Sequence, residues 1–184
     1  MTRLKAVNPE QATGKTKELF NGIESKLGMV PNMMRTMGNS SAFLEGYLNL
    51  SGALAKGTLG AKTGELIALA VAENNSCDYC LSVHTYIGAN LAKINPEALS
   101  DARDAKSSDL KIDAALRFAK ILVNKKGLVN DADVNAIKNA GFSEGEIGEI
   151  IGHVGLNVLT NYFNNAAKTE IDFPVVKAHS PVAA

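Results

Sequence analysis

Along the chain, apolar residues recur at helical spacing and are cut into short runs by glycine, proline and cap-type residues. Asn8-Pro9 sets a cap before a first-turn proline and predicts a helix to about Leu27, where Gly28 stops it. Pro31-Asn32 starts a short methionine-rich segment, and Ser40-Ser41 caps a longer helix reaching about Lys56. Gly57 and Gly60 make the next break. A helix from about Lys62 to Glu73 carries Leu66, Leu69 and Ala70 on one face. The turn Asn74-Asn75-Ser76 leads into another, from Cys77 to about Lys93. Asn95-Pro96 opens a short helix, and Ser107-Ser108 caps a longer one in which Leu110, Ala114, Phe118, Ile121 and Leu122 keep the period. Asn130 to Ala140 is a short helix closed by Gly141. Ser143 begins the last long one, reaching about Lys168, with the Ser143-x-x-Glu146 spacing of a capping box.

No stretch reads as a strand, Val175-Val176 being too short. The expectation is an all-α, single-domain helical bundle over residues 1–173, followed by a C-terminal tail over 174–184. A chain of 184 residues can bury one proper core. Lys plus Arg and Asp plus Glu both count 19, so the formal charge is zero, with no electrostatic footprint for nucleic acid or an anionic membrane. The most apolar run, Leu66 to Ala72, is too short to cross a bilayer, and Met1 to Pro9 lacks the apolar stretch of a secretory signal. A cytoplasmic setting follows, in which disulfides are transient and catalytic or sensing.

The candidate chemistry lies in Asn74–His84, "NNSCDYCLSVH", which holds both cysteines. On a helix, Cys77, Cys80 and His84 fall at i, i+3 and i+7 and share one face. His84, one turn from Cys80, can take a thiol proton or, protonated, stabilise a thiolate. The first helical turn adds unpaired N–H groups, and such surroundings lower a cysteine pKa to about 3.5–7.5. Glu65, one helix earlier and bordering its apolar face, is the candidate base, or else a glutamate favoured by the helix dipole. Glu73 is expected in solvent. A metal site using Cys77, Cys80, His84 and Glu65 is an alternative, although a structural zinc needs four closed ligands and spacing supplies three. Buried cysteines can also serve as small core hydrophobes.

Glu65, eleven intervening residues, Cys77-x-x-Cys80 and then His84 three residues further on resemble the alkylhydroperoxidase D pattern, within the larger carboxymuconolactone decarboxylase-like superfamily. The match is densest from about Gly60 to Ala92, and Met29-Val30-Pro31-Asn32 with the capped early helices resembles the peroxidase-related branch. The resemblance implies an all-α fold in trimers or hexamers and a cofactor-free thiol peroxidase or disulfide reductase. Cys80 would attack a hydroperoxide, Cys77 would resolve the sulfenic acid as a disulfide, Glu65 and His84 would relay protons, and an external dithiol would reset the pair. A disulfide-cycling sensor or partner-binding module is the alternative within the same chemistry. Asp78-Tyr79 stands between the cysteines where some members carry a histidine, and a nearby Asp78 would oppose a thiolate.

Gly145, Gly148, Gly152 and Gly155 leave a bare stripe on the last helix, suited to close packing within the subunit or between subunits. His153 is either a hydrogen-bonded helix histidine or a group near the thiols. Met29, Met33 and Met37 read as core filling or as a pocket entrance. Lys125-Lys126 is a solvated helix end, and His179 lies in the tail.

Overall fold

A computed structural model describes residues 1–179, and every regular element in them is a helix: α1 (Gly14–Leu27), α2 (Asn32–Met37), α3 (Ser41–Leu54), α4 (Gly60–Asn74), α5 (Asp78–Asn90), α6 (Pro96–Arg103), α7 (Leu110–Asn124), α8 (Asp131–Asn139) and α9 (Glu144–Ala167). The bundle is built around α4, which packs against α5, α6, α7 and α9. Leu66 through Ala72 are all buried, so α4 is apolar around its whole circumference rather than on one face. Its alternating alanines, Ala68, Ala70 and Ala72, let several neighbours approach at once.

The capping residues decide where most elements begin. Ser40 accepts from the Phe43 amide, Asn95 from Ala98, and Asp109 from Lys111 and Ile112, so α7 is capped by Asp109 rather than by the serines before it. Capping boxes open α8 (Asn130 with Asp133) and α9 (Ser143 with Glu146). The first helix starts later than the Asn8-Pro9 signal predicts. Those residues make a single turn, with the Asn8 side chain accepting from the Glu10 amide, and Gly14 at φ +53° separates it from α1.

Two helices take their caps from distant residues. The N-cap of α4, Leu59, has no side chain able to accept, and the Glu149 carboxylate of α9 takes the Thr58 and Leu59 amides at 2.8 and 3.0 Å. Gly57 leaves room for that carboxylate, since a Cβ there would lie 2.5 Å from Oε2. At α2, which begins after Pro31, the Asn32 amide donates to Asp172 at 2.7 Å and the Met33 amide to the Tyr79 hydroxyl at 3.1 Å. The glycine stripe of α9 is only partly used within the chain. A Cβ at Gly152 would meet Leu54 at 3.0 Å, while Gly148 and Gly155 face open space.

The segment after Phe173 has no regular structure, yet it is tied across the start of α5. Val176 donates to Ser82, Ala178 to Asp78 and His179 to Glu73, while Arg103 holds both the Lys177 carbonyl and Glu73. Glu73 is therefore a nearly buried partner of Arg103 rather than a solvated side chain. The remainder of the expected tail, residues 180–184, lies outside the described residues. No helix among the described residues is long and apolar enough to cross a membrane.

Candidate functional site

The chain leaves α4 through Asn75 and Ser76, the latter in the left-handed region at φ +48°, and the Cys77 amide closes the turn on the Ala72 carbonyl at 2.9 Å. This reversal lays α5 back along α4. Cys77 is not on the helix face as its spacing with Cys80 and His84 suggests, but is the N-cap of α5, with φ −96° and ψ 91°. Its sulfur takes the place of the usual oxygen acceptor, receiving the Cys80 amide at 3.3 Å.

One turn into α5, Cys80 and His84 reach a cavity of about 320 Å³, which Glu65 of α4 enters from the opposite side. His84 Nδ1 lies 2.8 Å from Glu65 Oε2. Cys80, His84 and Glu65 all line the cavity, with Tyr47, Met33 and His153 among the other walls. Cys77 does not. Both thiols are free, with exposures of 0% for Cys77 and 1% for Cys80, and of the two it is Cys80 that lines the cavity.

The two thiols are pushed in opposite directions. Burial raises Cys80, but the hydrogen bond from the Cys77 thiol, the His84 charge and the Asn164 and Asn161 amides outweigh it and bring it down to about 7. Cys77 is driven far up, first by that same hydrogen bond to Cys80 and then by burial. Its thiol keeps its proton and shares it with its neighbour. For His84 burial works downward, and the Glu65 carboxylate more than reverses it, so the imidazole is held above its ordinary value. The site therefore gathers a sulfur inclined to ionise, an imidazole inclined to be protonated and a carboxylate bound to that imidazole.

Of the residues between the cysteines, Asp78 is tied to the segment after Phe173, while Tyr79 lines the cavity. Asp78 accepts from the Ala178 amide at 2.9 Å, and its charge bears on Cys77, where it is the weakest of five influences. Tyr79 holds the Met33 amide, and its ring meets Phe173 edge-on at 6.3 Å. Burial raises its hydroxyl, which stays protonated. A phenol thus occupies the position as a cap for α2 and a wall of the cavity.

His153 sits against Gly64, where a Cβ would come within 3.0 Å of its ring, and lines the cavity beside Glu65. Burial lowers it, so it faces the cavity as a neutral imidazole. Met33 and Met37 belong to the core, while the more exposed Met29 stands at the cavity mouth with Leu27 and Leu91. Among the described residues no three His, Cys, Asp or Glu side chains are grouped to hold a metal. The Cys77 sulfur is committed to the α5 cap and His84 Nδ1 to Glu65, so the four candidates do not converge as ligands.

Three residues at the site escape the sequence pattern: Asn161 and Asn164 of α9 and Tyr47 of α3. Asn164 Nδ2 reaches Met33 Sδ at 3.2 Å and Cys80 Sγ at 3.4 Å. Tyr47 is raised to about 12, first by burial, and it feels both Cys80 and Glu65. A signal for the amides does exist. Asn157, Asn161 and Asn164 fall at i, i+4 and i+7, an amide stripe on the side of α9 that also buries Ile150 and Val154.

Residues 41–124, which span α3 to α7 and hold the whole Glu65–Cys77–Cys80–His84 set, match the carboxymuconolactone decarboxylase family. That match covers rather less than half of the chain and marks a similarity to the family over the helices that carry the site. Its fold is of the alkylhydroperoxidase D type. An uncharacterized peroxidase-related protein from Ralstonia eutropha JMP134 with an alkylhydroperoxidase core superposes with a TM-score of 0.83 at 22% identity, over 93% of this chain and 92% of that one. A peroxidase-related protein from Silicibacter sp. TM1040 gives 0.78 at 24% identity, over 92% and 94%. The debrominase Bmp8, in complex with 2,3,4-tribromopyrrole, gives 0.77 at 21% identity, over 94% and 92%. No protein of curated function matches. The same fold thus serves proteins described as peroxidase-related and one described as a debrominase, so chemistry has to be argued from the site.

Proposed function

We propose that this protein is a cofactor-free, thiol-dependent hydroperoxide reductase. The observation that carries the reading is the asymmetry of the thiols: Cys80 alone opens into the cavity and is the one lowered, to about 7, with the Glu65–His84 pair one turn away. The Cys80 thiolate attacks the terminal oxygen of ROOH, the O–O bond breaks, and RO⁻ leaves with a proton from the imidazolium of His84 as ROH. The sulfur is now a sulfenic acid. Cys77, already hydrogen-bonded to Cys80, attacks that sulfur, a disulfide forms and water departs. An external dithiol then reduces the disulfide and is itself oxidised to one. Glu65 keeps His84 oriented, and the imidazole regains its proton when the Cys80 thiol released by the dithiol ionises for the next turnover.

The largely apolar cavity wall favours an organic hydroperoxide over hydrogen peroxide, because an apolar R group gains burial there. Self-association, which the family resemblance implies, has a suitable surface on α9, where Ile151, Leu159 and Tyr162 are exposed beside the open Gly148 and Gly155. Consumption of cumene hydroperoxide with a small dithiol donor tests the reading. Wild type should turn over and Cys80→Ser should fall to the uncatalysed background. Equal consumption by the two proteins would sink the enzymatic assignment, and disulfide cycling without turnover would leave a redox sensor.

A further inference from the structure

The oxidised sulfur needs somewhere to put an oxygen, and α9 offers two unused polar atoms beside it. Asn161 and Asn164 are 0% and 3% exposed, yet Asn161 Nδ2 and Asn164 Oδ1 have no hydrogen-bond partner in the protein. Leaving such atoms unpaired in a core is costly, so a pair of them on adjoining turns asks for a reason. Their other ends are fixed. Asn161 Oδ1 receives the Asn75 amide at 2.9 Å, which orients its nitrogen away from that contact. Asn164 Nδ2 is drawn to the sulfurs of Met33 and Cys80, which leaves its oxygen over. A free acceptor, Asn164 Oδ1, and a donor that acts on the Cys80 sulfur from beyond full hydrogen-bonding distance, Asn161 Nδ2, therefore belong to these two amides.

We propose that Asn161 and Asn164 form an amide cradle for the Cys80 sulfur through its redox cycle. Asn164 Nδ2 donates to the thiolate; Asn161 Nδ2 then donates to the sulfenic oxygen, and Asn164 Oδ1 accepts the sulfenic proton. The inference deepens the hydroperoxide-reductase reading and rests on it for the second step. A thiolate only accepts, whereas a sulfenic acid offers one acceptor and one donor, which is the complement of Asn161 Nδ2 and Asn164 Oδ1. No group is oxidised or reduced by the cradle. The oxygen comes from ROOH, the two electrons from Cys80, and RO⁻ leaves to take its proton from His84. The other titratable groups facing the sulfur are Cys77, His84, Tyr47 and Tyr79, from α5 and α3.

The first arm needs no peroxide. In a Cys77→Ser background, alkylation of Cys80 by iodoacetamide is followed against pH with Asn164 intact and as Asn164→Leu. The cradle predicts a midpoint at least about one pH unit higher in the variant, hence roughly tenfold slower alkylation at pH below the midpoint. A midpoint moved by less than about 0.3 units overturns the thiolate contact, because a purely structural amide would not move it. If Asn164→Leu does not fold, the side-chain amide resonances of isotope-labelled Cys77→Ser replace it. Those of Asn164 should titrate with the Cys80 midpoint, and their failure to do so overturns the contact equally. The second arm adds an equivalent of cumene hydroperoxide to Cys77→Ser and traps sulfenic acid with dimedone. With sulfenic acid formed, the amide resonances of both Asn161 and Asn164 should shift; stationary resonances overturn the oxygen cradle. A failure to form sulfenic acid at all would instead count against the reductase reading, and leave the first arm standing.

Discussion

Glu65 and His84 face each other from adjacent helices, carboxylate oxygen to Nδ1 at 2.8 Å, with the imidazole's other side turned toward the cavity that Cys80 lines. The carboxylate fixes the tautomer and raises the imidazole. Glu65→Gln keeps the shape and removes the charge. Hydroperoxide turnover should fall about 10²-fold, the scale of a lost acid–base group, while the melting temperature stays near wild type. Steady-state kinetics beside a thermal melt separates the two, and an unchanged kcat would remove Glu65 from the relay.

Cys77 carries two tasks, and two substitutions separate them. Cys77→Ser retains a hydroxyl to hydrogen-bond Cys80 and to cap α5. Cys77→Ala loses both, which should raise the Cys80 midpoint above about 7 and cost about 1 kcal/mol of stability for the lost cap. Alkylation against pH and urea denaturation read these effects separately. Equal midpoints in the two variants would show that the Cys77 proton does nothing for Cys80.

Acid sensitivity should localise to Glu149, whose carboxylate caps α4. Its pKa is lowered, first by the Thr58 amide and then by that of Leu59. A depressed carboxylate contributes stability that is complete above the ordinary glutamate value of about 4.5 and is lost as pH falls through the folded value. Wild type should therefore be more stable than Glu149→Gln at pH 7, with the gap closing below about pH 4.5. A gap independent of pH, measured by denaturant unfolding, would show that the carboxylate's charge is not what caps the helix.

Gly38 ends α2 against the Phe20 ring, and a Cβ would come within 2.7 Å of that ring's Cε1 atom. Phe20 is buried in the core, so any shift of its ring disturbs packed neighbours. Gly38→Ala should cost about 1–3 kcal/mol, seen as a lower urea midpoint with an unchanged slope. An unaltered midpoint would mean that the α1–α2 junction is looser than its packing indicates.

Local signals read the helices well because caps and glycines act through neighbouring residues. Ser40, Asn95 and Ser143 cap as their positions predict, and Gly28 and Gly141 end elements in the left-handed region. The nearness of Cys80, His84 and Glu65 was legible for a similar reason, since Cys80 and His84 are one turn apart and α4 and α5 are joined by a short turn. What sequence spacing could not give was anything made by distant partners. Glu73 pairs with Arg103 thirty residues on, Glu149 caps a helix begun ninety residues before it, and Asn164 meets Cys80 across eighty-four. Cys77 misled for a subtler reason: helical phase counts residues inside a helix, and the cap sits outside it, where φ and ψ turn its side chain to the first-turn amides.

That cap gives the protein a mechanical record of its chemical state. In the dithiol form the first turn of α5 is closed by a sulfur accepting an N–H, and on that turn hang Ser82, which receives the Val176 amide, and Asp78, which receives that of Ala178. When Cys77 turns its sulfur from the amide to a bond with Cys80, the same turn must be held by something else. The backbone lying across α5, from Val176 to His179, is anchored to the part of the helix that such an exchange would disturb, so under the proposed chemistry the hold on this segment would be coupled through one atom to the oxidation state of the site.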